Sequence, residues 1–563
     1  MIAVNIMNCP MPVGIEDFGK LVNEKYYMID KTRFIKELID CRGEVTLITR
    51  PRRFGKTLTL SMLRYFFSVE NAAENRKLFA GLDIERAGDR YWQEQGTRPV
   101  LFLSLKEVHG KSFGLALDIL ARHMQGLCLI HRYLLDSDRV LPESKQAMQL
   151  LLDLKGGEAD LRSSLCSLLK WLKMHYGRSP ILLLDEYDAP VISAWENGYY
   201  DECIDFVRGF VGEALKTNDA LDFAVLTGVT RISKESIFSG LNNLSVSSVL
   251  SKRYSDIFGF TPEEAERLMT DCGAEDKLPE LKKWYDGYKF GDTEIYNPWS
   301  VIRFVAEGCT FQPYWINVSA NSILKDMLAR VDNRRRQELA GLLEGRPVET
   351  PVMENLVFAN LRTNRNALYM MLLTAGYLKA VEVWHDERHR IWARLQIPNL
   401  EIGLAYETEI LDYIVPSQGE ILLRDMLDAM TAGDADGFTE HLGEILRDYV
   451  SYHDPTAQPE NFYHGLLLGV AVLLQGTYQV ESNKESGFGR FDLAFFPKKN
   501  DKPGVVLEIK TAGAGEEKEA MAKEALAQIE AKDYMANFAK QGIRDVWKCG
   551  IAFSGKTVWI ERG

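Results

Sequence analysis

Cysteine is scarce in this chain, 8 of 563 residues. No two cysteines form a Cys-x-x-Cys pair, so neither a zinc ribbon nor a thioredoxin-type redox site is expected. A chain of this length can bury enough apolar surface to fold without disulfides, and free thiols indicate a reducing, cytoplasmic setting. Long apolar runs are missing as well. The longest reads around Leu466 to Leu474, short of the ~20 residues that cross a bilayer, so no membrane partner is expected. The N-terminus lacks a charged segment followed by an apolar core, which argues against a signal peptide. Excess positive charge is also absent: 67 Lys and Arg stand against 80 Asp and Glu, a net −13. That excludes a uniformly basic coat but leaves room for a local basic groove on an acidic body. There is no fixed-period repeat and no low-complexity tract.

What is present is alternation. Short Val/Ile/Leu-rich runs at Val45–Thr49, Pro99–Leu105, Ile181–Glu186 and Phe223–Thr227 are separated by helix-length segments. This pattern predicts a parallel sheet covered on both faces. From about Thr261 to Met430 the pattern is mostly helical, opened by Thr261-Pro-Glu-Glu as a helix start. The last hundred residues read as strands at Tyr478–Lys484, Arg490–Phe496, Val505–Ile509 and Asp545–Phe553, with a long helix over Glu516–Lys540. The expected class is therefore α/β, in three parts: a nucleotide-binding domain over 1–260, a helical middle over 261–430 and a small α/β module over 431–563.

The first strand runs into Arg50-Pro-Arg-Arg-Phe-Gly-Lys-Thr57 and then a helix. This strand–loop–helix context is the one a phosphate-binding loop requires. Gly55 and the helix N-terminus would cradle phosphate oxygens, Lys56 would supply a point charge to the β/γ-phosphates of ATP, and the Thr57 hydroxyl would ligate Mg²⁺. Arg50 stands where the usual loop has its first glycine. Pro180 to Asp188 is an apolar strand ending in acids, with Asp185 suited to the Mg²⁺ shell and Glu186 to polarising the attacking water. Thr227, Thr230 and Arg231, after the next apolar run, are candidates for sensing the γ-phosphate. Arg231 reads equally well as a surface or interdomain ion-pair residue; as a sensor it would act within one chain or across an oligomer interface. Arg52 and Arg53 face either phosphate or solvent.

The second constellation lies near the C-terminus. In Gly504-Val-Val-Leu-Glu-Ile-Lys510 the period of two puts Glu508 and Lys510 on one face. An adjacent strand would bring Asp492 beside them. Two carboxylates and a lysine form a hard, oxygen-rich site for Mg²⁺ or Mn²⁺ with an amine near developing charge, the parts that phosphodiester hydrolysis needs. Gln528 and Tyr534 would line the same cleft, and Glu481 and Glu485 are additional acids. A Glu-x-Lys pair alone reads equally well as an exposed ion pair.

The chain resembles a known family. Met11-Pro-Val-Gly-Ile-Glu-Asp-Phe18, Tyr27-Met-Ile-Asp-Lys31, the Arg50–Thr57 loop, Leu184-Asp-Glu-Tyr-Asp-Ala-Pro190, Trp284-Tyr-Asp-Gly-Tyr-Lys-Phe-Gly291 and Ile295-Tyr-Asn-Pro-Trp-Ser300 are similar to the AAA-ATPase-like family of bacterial proteins. The last hundred residues resemble the PD-(D/E)XK nuclease superfamily domain that accompanies it. The resemblance implies an Mg-ATP site at Gly55, Lys56, Thr57 and Asp185 and a nuclease-type site at Asp492, Glu508 and Lys510. It also implies that Arg50 departs from ordinary ATPases rather than from its relatives. Many such nucleases carry a glutamate on the helix before the first strand; here Phe462–Leu474 offers Tyr463 and His464, with Glu460 just ahead. Two functions are therefore expected: an ATPase coupled to a DNA nuclease, suited to defence or a mobile element, or an ATP-switched binding protein whose nuclease fold has lost its chemistry.

Overall fold

The computed structural model describes the chain except residues 1–8, 42, 217, 231–236, 239–241, 316–326, 329–332, 354–365, 415–419, 450–458, 475–476, 483–484, 487–488, 500–501, 514–516 and 532–533. Two compact units emerge. One holds residues 1–327 and 347–403, the other 328–346 and 404–563.

The first unit is built on β1 (Val45–Thr49), β2 (Val100–Ser104), β3 (Ile181–Asp185), β4 (Ala224–Gly228) and β5 (Leu244–Ser247), in the order β2-β3-β4-β1-β5. All neighbours are parallel. β1, β3 and β4 are buried at every position, as continuous apolar runs between two helical layers must be. β2 lies at the edge and alternates between buried and half-buried residues. The four strands expected from sequence are all present. The fifth, Leu-Ser-Val-Ser, is short and half polar, so its pattern does not announce it.

The same unit carries a hairpin of β6 (Tyr288–Phe290) with β7 (Thr293–Ile295). It also has an antiparallel sheet of β8 (Val348–Pro351), β10 (Ile391–Gln396) and β9 (Lys379–His385), in that order. The region 261–430 thus contains strands among its helices. Helix α1 (Lys56–Phe67) follows the loop after β1. Helix α2 (Phe113–Ile130) is, among the described residues, the one helix long and apolar enough by length and composition to cross a membrane, so the apolar segment around Leu466 is not the extreme case. Its buried residues Ala116, Leu120, Met124, Leu127 and Cys128 recur at helical spacing and form one packed stripe. Helix α3 (Pro298–Ala306) starts at Asn297, whose side chain accepts from Trp299 N.

The second unit holds a mixed sheet of β11 (Tyr478–Ser482), β14 (Leu493–Pro497), β15 (Gly504–Thr511), β16 (Val546–Ser554) and β17 (Thr557–Arg562). β15 and β16 pair parallel and the other neighbours antiparallel. Between β11 and β14, the short β12 (Glu485–Ser486) and β13 (Gly489–Arg490) form their own two-stranded ladder. The expected strand Arg490–Phe496 is consequently interrupted at Phe491 and Asp492. Helix α4 (Pro459–Ala471) contributes to the core on one face, with Leu507, Ile509, Val558 and Ile560. The expected helix over Glu516–Lys540 is two helices, α5 (Lys518–Ala531) and α6 (Met535–Lys540). The break lets Tyr534 and Phe538 bury against Phe491, Phe496 and Ile529 on the other face. Gly550 is what lets α5 lie on β16: a Cβ there would come within 2.2 Å of the Ala522 carbonyl oxygen.

Candidate functional sites at two strand ends

In the first unit the site forms where β1, β3 and β4 end. Gly55 sits at φ +80 with open space where a Cβ would stand, and it precedes α1 without any side-chain cap. A left-handed residue is needed here, and glycine adopts it without steric cost. The first amides of α1 are thereby left to face an anion. Lys56 is buried; its Nζ donates to the Arg50 and Pro51 carbonyls at 3.1 Å each and lies 3.5 Å from Glu186 Oε1. The Thr57 hydroxyl donates to Asp185 Oδ2 at 2.8 Å, and the Thr227 hydroxyl to Oδ1 at 2.5 Å. Because β4 lies between β1 and β3, Thr227 fills the gap and holds the carboxylate from the other side. Burial raises the Asp185 pKa above the usual carboxylate range, the two hydroxyl donors opposing that shift and nearby Glu186 adding to it. A buried acid of this kind with an adjoining hydroxyl fits a hard divalent ion, which would share the Thr57 and Asp185 oxygens and restore the charged form. Glu186 itself has φ +51. Strained backbone at a non-glycine residue is typical of functional sites.

Two residues that follow Glu186 matter, although sequence reasoning assigned them no role. Asp188 is fully buried, and its Oδ2 accepts from Val229 N, Thr230 N and the Thr230 hydroxyl at 2.7–3.0 Å. Tyr187 donates its hydroxyl to the Thr230 carbonyl. Together they clamp the segment that leaves β4. Burial raises Asp188 to about 6, helped by the charge of Glu186. The sequence signal was the Asp-Glu-Tyr-Asp run, but Asp188 looks there like an ordinary helix N-cap; its side chain makes no cap bond to the helix that follows. Arg231 lies outside the described residues.

Arg53 is not brought into the phosphate cradle. Its backbone is left-handed, φ +70, and its guanidinium sits 4.0 Å over the Trp299 ring with a bond to the Tyr314 carbonyl. Burial lowers its pKa to about 10, and Glu401 is the first charge to oppose that. Glu401 is fully buried and accepts from the Ser300 hydroxyl at 2.7 Å and Trp315 N at 2.8 Å. Burial raises its pKa to about 7. A carboxyl raised from 4.5 to about 7 favours the fold below pH 4.5, and that contribution is lost as pH climbs through 7. Glu401→Gln is therefore expected to flatten the stability profile between those limits by about 3 kcal/mol. Urea unfolding of both proteins across this range checks it, and parallel profiles would refute it.

In the second unit Asp492 stands just before β14, where the register Leu493–Leu507 makes Glu508 its cross-strand neighbour. Asp492 Oδ2 accepts from Ile509 N at 2.7 Å, a bond that sets the acid between Glu508 and Lys510. Glu508 is 3% exposed, and Gln528 of α5 donates to its Oε1. Tyr534 is buried next to Gln528. Leu507 and Ile509 face the opposite core, so the expected alternation holds. Lys510 is half-buried with no ion-pair partner among the described residues. From α4, the His464 ring nitrogen Nε2 lies 3.0 Å from both the Asp492 carbonyl and the Ser482 hydroxyl. It thus occupies the helix position where a third acid was sought. Tyr463 instead stacks on Phe553 within the core. Glu481 accepts from Gln479 on β11, and the Glu485 side chain lies outside the described residues. Among the described residues no cluster of three His, Cys, Asp or Glu side chains forms a ready metal cage. The Asp492–Glu508 pair, with oxygen donors only, nevertheless fits a hydrated hard cation, since Mg²⁺ usually keeps several waters and one or two carboxylates.

The comparisons follow the same division. Residues 12–238 match the family described as "Predicted AAA-ATPase". Residues 458–563 match the PD-(D/E)XK nuclease superfamily. The chain is also similar to a protein of Azotobacter chroococcum mcd 1 described as an uncharacterized protein in the vnfD 5′ region. The two share 28% identity over 489 residues, covering 83% of this chain and 84% of that one. An ATPase-like domain and a nuclease-like domain are thus combined in one α/β chain.

Proposed function

We propose that the protein is an ATPase whose nucleotide state controls a metal-dependent nuclease acting on DNA in the cytoplasm. The observation that supports it most is the pair of strand-end sites, each with a carboxylate held in place by hydrogen bonds: Asp185 between the Thr57 and Thr227 hydroxyls, and Asp492 on Ile509 N. Gly55 and the first amides of α1 bind the phosphates. Lys56, now on two carbonyls, turns to the β/γ-phosphates, and Glu186 orients the attacking water. In the second unit Asp492 and Glu508 would hold Mg²⁺ or Mn²⁺, which would supply Lewis-acid chemistry at the scissile phosphate. Gln528 fixes the Glu508 carboxylate, and Lys510 neutralises charge that builds on the phosphate. Eight free cysteines support the reducing compartment. A role in defence or in mobile-element biology suits an ATP-gated nuclease.

Full-length wild type, Lys56→Ala and Lys510→Ala, each assayed with labelled DNA, with and without ATP, in Mg²⁺ or Mn²⁺, test this. Lys56→Ala is expected to lose nucleotide binding. Lys510→Ala should keep it and lose on the order of 10²–10³-fold in cleavage. A wild type that cuts no DNA under any of these conditions would overturn the nuclease half.

A further inference from the structure

A buried imidazole stands at the second site. His464, on α4, is 8% exposed. Its Nε2 lies 3.0 Å from the Asp492 carbonyl oxygen and 3.0 Å from the Ser482 hydroxyl. A carbonyl oxygen only accepts, so Nε2 carries a proton and donates. A nitrogen in that form is closed to a metal ion. The strand registers show what this donor replaces. The β11–β14 ladder ends at the Ser482–Leu493 pair, and the β14–β15 ladder ends at Leu493–Leu507. Asp492 is the first residue beyond both. A backbone carbonyl that leaves a ladder needs another donor, and the imidazole supplies it.

Asp492 is thus held twice. α4 holds its carbonyl through His464, and β15 holds its carboxylate through the Ile509 N–H, 2.7 Å from Oδ2. One bond grips the main chain and the other the side chain, so together they limit the rotation of the carboxylate beside Glu508. An acid in place of His464 would do the opposite. It would add a third negative charge to the site, and its carboxylate would repel the Asp492 carbonyl instead of donating to it.

We propose that His464 is a positioning residue: it donates to the Asp492 carbonyl and so aims the Asp492 carboxylate at a hard divalent cation, without binding the cation itself. This rests on the nuclease reading above and assigns the helix position within it. Loss of a group that orients a metal ligand costs roughly 10–100-fold in metal affinity. The test is calorimetric titration of Mn²⁺ into the full-length protein without nucleotide, with Asp492→Asn as the blank that defines the second site and a urea midpoint for each variant. His464→Leu should weaken Mn²⁺ binding about tenfold or more. His464→Gln and His464→Glu have the same reach, and only the amide can donate. His464→Gln should recover most of the affinity, and His464→Glu should not. A His464→Leu protein with a lowered urea midpoint but wild-type Mn²⁺ affinity would show a core histidine only and overturn this inference alone. Tighter Mn²⁺ binding by His464→Glu than by wild type would also overturn it, because the helix position would then hold a ligand. If His464→Leu does not fold, equal affinities of His464→Gln and His464→Glu overturn it in the same way. Wild type that binds Mn²⁺ no better than Asp492→Asn would overturn the metal role of Asp492, on which both this inference and the nuclease reading rest.

Discussion

Arg50→Gly, which would convert the loop to the ordinary glycine-first form, is expected to destabilise the first unit by about 4–5 kcal/mol rather than improve its nucleotide site. Arg50 is fully buried. Its Nη1 donates to the Thr49 and Ser247 carbonyls at 2.9 Å each, and its Nη2 to the Ser247 hydroxyl at 3.2 Å and the Tyr254 carbonyl at 3.1 Å. The guanidinium also lies over Phe258 and Phe290, at 5.5 and 4.9 Å from the ring centres. Burial lowers its pKa to about 9, which still leaves it charged at neutral pH. The side chain thus staples the end of β1 to the end of β5 and to the segment after it. Its loss would strand three buried carbonyls, each costing about 1–3 kcal/mol, and open a cavity beneath the phosphate loop. Arg50→Lys should recover little, because one ammonium on a flexible stem cannot reproduce the planar fork. The urea midpoint of each variant measures this; a shift of Arg50→Gly within the range of a surface substitution would show that the staple carries no weight.

Asp492→Asn should abolish nuclease activity while leaving the fold intact. The asparagine oxygen can still accept from Ile509 N, so the position of the side chain between Glu508 and Lys510 is conserved. What disappears is one negative charge from a donor set of two carboxylates. Affinity for a hard divalent cation depends on that charge, and so does the polarisation of the scissile phosphate. Cleavage is expected to fall on the order of 10³-fold. Mn²⁺ binding followed by calorimetry should weaken in parallel, with unfolding and nucleotide binding unaffected. A variant that cuts DNA as fast as wild type would remove Asp492 from the chemistry. Intact Mn²⁺ binding with lost cleavage would place Asp492 on the substrate rather than on the metal.

Much of each site was legible because its parts are close in sequence. Gly55, Lys56 and Thr57 are consecutive, and the geometry of a strand–loop–helix turn places them together. Glu508 and Lys510 share a face because strand side chains alternate with period two. Asp185 and Asp492 needed only neighbouring strands to reach their partners, and those strands were visible as apolar runs. Arg53 rests on an indole ring that the sequence does not announce, because a loop arginine reads the same whether it faces phosphate or Trp299, 246 positions further along. The fate of Arg50 turned on Ser247 and Tyr254, on and after a strand too short and polar to be seen. The long helix expected over Glu516–Lys540 is instead α5 and α6, and Tyr534 and Phe538 are buried against Phe491 and Phe496, partners that no helical period within the segment reveals.

Composition and periodicity by themselves determined an α/β chain with a phosphate loop near one end and a carboxylate–lysine strand near the other, since these follow from backbone geometry over a few residues. Tertiary structure alone decided that Arg50 is a staple, that Asp188 clamps the exit of β4 and that His464 rather than Tyr463 stands beside Asp492. Each of those depends on strand order and register, which bring together residues that no local period relates.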